Sequence, residues 1–359
     1  MTGVFLARRG PVAARLFALL VLFGLLSGCA PSAQAEPAPA TQAPVPQATA
    51  WESAAADGPE AHGGAAVDTS AESAATVSAV AVGAAEGILT APESVVIGSY
   101  NVQAFGPAKI GRPNTRAALA RVASRFDLLA LQEVGSNAST ASDATCEAVM
   151  AAFVESLDAV AGQPKYAYVR ADQFAIVYRQ DLFELLAWEP YSGSESFAYP
   201  PLAAHLRVRG APFDFVIVSV HIRPGAAAAE ISSLRAAAQR FSERFAERDV
   251  MLVGDFNADG SYYEEGEGGF LAGFLPNSFI TVVPNDADTT VAEGDNAYDR
   301  IQLTAAMIED WTGSWSVVRP ADLIDVSICE GPPSVAGTEA ALSDHYPVRA
   351  EFWTQRDED

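Results

Sequence analysis

Apolar runs that close on polar side chains recur between residues 95 and 353 of this chain. Residues 95–100, 127–131, 174–178, 206–208, 213–220, 250–253, 301–304 and 346–353 are short and rich in Val, Ile, Leu and Phe, and read as strands. Residues 114–126 place Ala118, Leu119, Val122 and Phe126 on one face at helical spacing, and residues 146–160 and 228–246 read as two more helices. Strands that outnumber the helices between them predict two packed sheets with helices outside, an α/β fold.

The first 92 residues follow another pattern. Arg8, Arg9 and Arg15 precede an apolar stretch over residues 16–26, too short for a membrane span but suited to an export signal covering residues 1–28. Leu26-Ser27-Gly28-Cys29 resembles a bacterial lipoprotein box, which makes Cys29 the expected acylated N-terminus of a protein anchored in the cell envelope. The alternative is an ordinary cleaved signal in which Cys29 is incidental. Residues 29–92 are rich in Ala, Pro, Ser, Glu and Gly, and Pro37, Pro39, Pro44 and Pro46 forbid a continuous helix in their first part. With few large apolar groups to bury, this stretch is expected to be a disordered tether reaching roughly 45 Å. Residues 355–359 form a short acidic tail after a domain expected over residues 93–354. A formal net charge of −23 excludes a broad basic nucleic-acid-binding face.

The polar ends of the apolar runs carry the chemistry. They are Ser99-Tyr100-Asn101, Leu131-Gln132-Glu133, Ser219-Val220-His221, Gly254-Asp255-Phe256-Asn257, Tyr298-Asp299-Arg300 and Ser343-Asp344-His345. Carboxylates offer hard oxygens to a divalent cation, and an amide can hold a phosphate oxygen. Any one of these groups alone could simply start a turn. A carboxylate such as Glu133 at the end of a buried strand needs a partner or a metal. Of the four histidines, His62 falls in the tether and His205 sits on a strand without a motif, whereas His221 and His345 each end an apolar run. The Glu264-Glu265-Gly266-Glu267 stretch reads as a solvated loop.

Taken in order, and with Asp288-Thr289-Thr290, the stretch from Asn296 to Ile301 and the stretch from Leu342 to Val348, these motifs resemble the endonuclease/exonuclease/phosphatase superfamily, above all its deoxyribonuclease I group, across residues 95–352. The resemblance implies a four-layer α/β/β/α sandwich and hydrolysis of phosphodiesters with Mg²⁺ or Mn²⁺. It implies that Glu133 holds the metal with Asn101 and Asp344, and that His345, oriented by Asp299, is the general base. His221 would stand near the leaving group, with Asp172 in place of the family's longer Glu partner, and Asp255 and Asn257 would complete the phosphate and metal cluster. Asp288 and Thr290 match positions that hold a structural Ca²⁺; a polar turn is the alternative. The expected substrate is DNA, cut with low sequence specificity by a monomer.

The resemblance thins at three DNA-contact positions, where Gly135, Tyr199 and Arg170 replace an arginine, an arginine and a tyrosine. Arg170 and Arg223 are candidates for new phosphate contacts. A sphingomyelinase-like or small-phosphoester phosphodiesterase of the same fold is therefore a second reading, and a catalytically inactive surface binding module a third. Cys146 and Cys329 match no disulfide of the group; Gly260 and Asn296 stand where its larger-loop pair would be. Outside the cytoplasm Cys146 and Cys329 are expected to pair with each other.

Overall fold

Most of the strands are buried on both faces, which is why they read as nearly unbroken apolar runs rather than as an alternation. The structure, a computed structural model, describes residues 91–135, 142–263 and 279–357. The export signal, Cys29, the tether, His62 and the 264–267 loop lie outside the described residues.

In chain order the elements are β1 (Ser94–Phe105), α1 (Pro107–Ile110), α2 (Pro113–Ala123), β2 (Leu128–Val134), α3 (Asp143–Ala161), β3 (Tyr166–Ala171), β4 (Phe174–Arg179), β5 (Phe183–Pro190), β6 (Leu202–Val208), β7 (Asp214–His221), α4 (Ala227–Phe245), β8 (Val250–Asp255), β9 (Phe279–Thr281), β10 (Asp299–Thr304), β11 (Trp311–Val317) and β12 (Val348–Trp353). They form two six-stranded sheets, ordered β11-β12-β1-β2-β4-β3 and β5-β6-β7-β8-β10-β9. The β1–β2 and β7–β8 pairs are parallel, and the other pairs are antiparallel.

Alternate residues of each strand serve different cores. Val95, Ile97, Leu128, Ala130, Phe215, Ile217, Met251, Val253, Ile301 and Leu303 pack between the sheets. Leu129 and Leu131 point the other way, against Leu119, Val122, Val149 and Phe153 of α2 and α3. Val216, Val218, Val220, Val250 and Leu252 cover Ile231, Leu234 and Phe241 of α4. The result is the four-layer α/β/β/α sandwich, with helices outside both sheets.

Local signals set the helix ends. Ser142 caps α3 by accepting from Thr145 N at 3.2 Å, and Gly162 ends it in the left-handed conformation at φ 74°. The strands β3, β5, β9 and β11 have no counterpart among the expected runs; all four are edge strands, and mixed composition hides them. No helix among the described residues is long and apolar enough to cross a membrane.

Candidate active site

The inter-sheet positions turn from apolar to polar at one end of the sandwich. In β1 the sequence Val95, Ile97 continues at Ser99 and Asn101; in β7, Phe215 and Ile217 continue at Ser219 and His221; in β8, Met251 and Val253 continue at Asp255. Asp299 opens β10 directly opposite Asp255. A two-residue period thus delivers functional groups from both sheets to the same edge of the core. Beneath them a buried polar chain ties the sheets together: Ser99 Oγ donates to Gln132 Oε1 at 3.2 Å, and Gln132 Nε2 donates to Ser219 Oγ at 2.9 Å.

Backbone irregularities finish the placement. Glu133 takes φ 63°, which breaks the alternation of β2 and brings its carboxylate to Asn101. Gly254 sits at φ +146°, where a Cβ would meet the Val220 carbonyl oxygen at 1.9 Å, so only glycine allows β8 to run this close to β7 before Asp255. Asn257, at φ 46°, donates through Nδ2 to Ile222 O at 2.9 Å, and its backbone N donates to Asp255 Oδ1 at 2.9 Å. The buried guanidinium of Arg300 donates to Val283 O at 3.0 Å and to Ala258 O at 3.4 Å, holding the loop after Asn257.

Two imidazoles converge on one carboxylate oxygen. His221 Nε2 and His345 Nε2 each lie 3.6 Å from Asp255 Oδ2. That is beyond hydrogen-bonding reach, so both nitrogens are available to a substrate oxygen. Behind His345, its Nδ1 is 2.8 Å from Asp299 Oδ2, a fully buried carboxylate. Thr289 fixes Asp299 by accepting from the Tyr298 and Asp299 backbone N–H groups at 3.0 and 3.1 Å. Burial raises the Asp299 carboxyl to about 6 against the pull of His345. Burial also opposes the His345 imidazolium, but the charges of Asp299 and Asp255 and the Asp299 hydrogen bond outweigh it and lift His345 to about 10. Near neutral pH the two therefore stand as an ion pair.

The oxygen-rich side of the site suits a hard divalent cation. Asn101 Nδ2 donates to Glu133 Oε1 at 3.2 Å and to Asp255 Oδ2 at 3.1 Å, so one amide draws two carboxylates together. Glu133 Oε2 accepts from Ala104 N at 2.7 Å. The Asp344 side chain is 52% exposed, with Oδ1 3.9 Å from His345 Nε2, leaving its oxygens open to a ligand. Glu133, Asp344 and the Asn101 amide offer carboxylate and carbonyl oxygens of the kind Mg²⁺ and Mn²⁺ take. A separate grouping, His205, Asp214 and Glu247, brings ligand atoms within 4.8 Å of one another at the opposite end of β7. There His205 Nε2 is 2.8 Å from Asp214 Oδ2, and Arg207 reaches the same oxygen at 3.2 Å, which describes a structural ion-pair group.

Several expected residues are placed elsewhere. The partner of His221 is not Asp172 but its neighbour: His221 Nδ1 lies 3.0 Å from Gln173 Oε1. Asp172 takes the left-handed position of the β3–β4 turn at φ 51°, which an Asp tolerates, and this turns its side chain to solvent and the buried Gln173 toward the site. The Arg170 guanidinium meets Asp143 at 2.7 Å and Glu147 at 3.5 Å on α3. Arg223 is exposed two residues beyond His221. Tyr199 packs on the His221 ring, with centroids 5.1 Å apart. Asp288 accepts from Arg319 Nη2 at 2.8 Å and from Thr290 N at 3.2 Å, so a guanidinium already meets its charge, as in the polar-turn reading. Cys146 and Cys329 are both free and buried, and the expected bond between them is absent. Gly260 and Asn296 do adjoin: a Cβ on Gly260 would lie 2.7 Å from Asn296 Oδ1.

Residues 98–345 match the Endonuclease/Exonuclease/phosphatase family, and the chain belongs to that family of phosphate-ester hydrolases. It is similar to Deoxyribonuclease-1 of Oryctolagus cuniculus, 26% identical over 272 residues that cover 73% of this chain and 93% of the relative. It is also similar to Deoxyribonuclease-1-like 2 of Mus musculus, 27% identical over 261 residues, 72% of this chain and 91% of the relative. Among solved structures, a humanized D. rerio TDP2 carrying 14 mutations superposes with a TM-score of 0.49 at 16% identity, over 73% of this chain and 99% of that one.

Proposed function

We propose that the chain is a divalent-metal-dependent phosphodiesterase whose substrate is DNA, cut with low sequence specificity. The convergence of His221 Nε2 and His345 Nε2 on Asp255 Oδ2, with Asn101 donating to that oxygen and to Glu133, carries this reading. His345, with Asp299 behind Nδ1, accepts at Nε2, in its neutral form, the proton of the attacking water. His221, held at Nδ1 by Gln173, serves the leaving oxygen from its own Nε2. Asp255 and Asn257 complete the cluster around the phosphate and the metal. Glu133, Asn101 and Asp344 would hold Mg²⁺ or Mn²⁺, which when bound draws charge from the phosphate and offsets the carboxylates that keep His345 protonated. The Deoxyribonuclease-1 relatives support DNA as the substrate. Export and acylation at Cys29, with residues 29–92 as the tether to a membrane, belong to the same proposal and rest on the sequence.

The deciding experiment incubates the purified protein with supercoiled plasmid in Mg²⁺ or Mn²⁺ and in EDTA, beside sphingomyelin and bis-p-nitrophenyl phosphate. Nicking that needs the cation, and that His221→Ala and His345→Ala each reduce by about 10²–10⁴-fold, is the expected result. Cation-dependent turnover of sphingomyelin without nicking would move the substrate to a lipid head group. Inactivity on all three substrates would point to a binding module.

A further inference from the structure

We propose that Lys109 is a positioning residue that locks together the two backbone segments presenting the cation ligands. This inference rests on the reading of Asn101, Glu133 and Asp344 as the cation's donor set. Lys109 lies on the single turn α1, just after β1, and only 7% of it is exposed. Its ammonium donates to three carbonyl oxygens: Val102 O at 2.8 Å, Gln103 O at 2.5 Å and Leu342 O at 2.7 Å. An ammonium has three N–H donors, and here all of them are used on backbone.

The three carbonyls belong to the two arms of the site. Val102 and Gln103 follow Asn101 directly, in the irregular end of β1 where Gln103 and Ala104 take φ 38° and 47°. Two consecutive left-handed residues without glycine are strained, and their reward is visible: Ala104 N reaches Glu133 Oε2 at 2.7 Å, and Gln103 N reaches Asn101 Oδ1 at 3.0 Å. Leu342 directly precedes Ser343-Asp344-His345. Ser343 makes a parallel tie, donating from Oγ to Asn101 O at 2.6 Å while accepting from His345 N at 3.1 Å. Lys109 and Ser343 thus clamp the same two segments from neighbouring points, and Lys109 does so with charge-assisted bonds in a buried site.

Charge points the same way. Burial lowers the Lys109 amine to about 8, while Asp344 and Glu133 are the carboxylates that favour its charged form. The ammonium therefore adds positive charge near the carboxylates assigned to the cation while its hydrogen bonds go to backbone carbonyls. A lysine suits this task better than an arginine, because its donors diverge from one atom toward three carbonyls, whereas a guanidinium presents a planar fork.

The test uses full-length wild-type protein, K109M and K109R, with Mn²⁺ affinity from calorimetric titration, kcat and KM on bis-p-nitrophenyl phosphate, and thermal midpoints in EDTA. Measured well below its midpoint, K109M should bind Mn²⁺ at least ~10-fold more weakly, and kcat at saturating Mn²⁺ should fall ~10²-fold with KM little changed, the signature of displaced groups. K109R, which keeps charge and loses the geometry, should remain defective in both. A K109M protein that is folded, less heat-stable, and equal to wild type in Mn²⁺ affinity and kcat would reduce Lys109 to a purely structural residue and overturn the proposal. If K109M does not fold, K109Q, which retains two donors, is measured in its place, and failure of both to fold would assign Lys109 to folding and equally refute it. Wild-type protein that binds no Mn²⁺ would instead remove the cation site itself, a result separable from any effect of the variants.

Discussion

Gln173 Oε1 lies 3.0 Å from His221 Nδ1, so an amide, not a carboxylate, stands behind one of the two imidazoles. The other imidazole has Asp299 at 2.8 Å. The pair is therefore electrostatically unequal: Asp299 supports an imidazolium at His345, whereas Gln173 orients His221 without adding charge. Gln173→Glu should move the pH–rate profile toward alkaline pH, because a carboxylate behind an imidazole favours its charged form. Gln173→Ala should lower kcat by about 10-fold or more through lost orientation, and Asp172→Ala should leave it nearly unchanged. Profiles of kcat against pH for the three variants check this; a large loss in Asp172→Ala alone would restore Asp172 as the partner.

The His345–Asp299 ion pair also makes stability depend on pH. His345 is lifted to about 10 in the folded protein, above its ordinary unfolded value of about 6.5. A raised folded value means that the folded state holds the proton more tightly than the unfolded chain does. The His345 contribution is thus fully present below about pH 6.5 and is lost as pH rises toward about 10. In EDTA, the gap in thermal midpoint between wild type and His345→Gln should be widest at the acid end of that window and narrow toward pH 10. A gap that widens with pH would contradict the ion pair.

Much of this arrangement can be read from the chain, because the same two-residue period that builds the core also ends in the site. Asn101, His221 and Asp255 continue the inward positions of β1, β7 and β8, so any reading that finds the apolar run finds the polar group that closes it. What fails is geometry set by one residue of turn. Asp172 and Gln173 are adjacent in a hairpin, and only the left-handed φ of 51° at Asp172 decides which of them faces His221. Arg170 was legible as a cation near the site, but its pairing with Asp143 and Glu147 depends on where α3 begins, and the cap that sets this, Ser142, follows a stretch of sequence without periodicity. Lys109 gave no signal, since a lone lysine after Gly106-Pro107 reads as a solvated turn; burial among three carbonyls is a tertiary fact.

Glu133 tests the cation's donor set most directly. Its φ of 63° and its contacts with Asn101 and Ala104 present the carboxylate at the site, and Glu133→Gln keeps size while removing the charge and one of the two acceptor oxygens. Hard divalent cations depend on that charge. Mn²⁺ affinity and kcat should fall together, by about 10–10³-fold, with little change in the thermal midpoint in EDTA. Equal Mn²⁺ affinity in titrations of the two proteins would remove Glu133 from the ligand set.

The two cysteines give the last prediction. Cys146 is buried on α3, its Sγ 3.7 Å from Val134 O, and Cys329 is buried where a short turn ends against the same helical layer. Both are free, and burial raises both thiols above their ordinary value, which leaves little thiolate at neutral pH. A buried thiol acts as a small apolar group, and thiol reagents need the thiolate and a path to it. Native protein should therefore react slowly with a thiol reagent. Denatured, unreduced protein lacking the Cys29 segment should show two reactive thiols at once. Cys146→Ala should cost about 1–2 kcal/mol through lost packing and should leave kcat unchanged. Absence of reactive thiols in the denatured protein would show that the two cysteines pair after all, and would require the segment carrying Cys329 to shift toward α3.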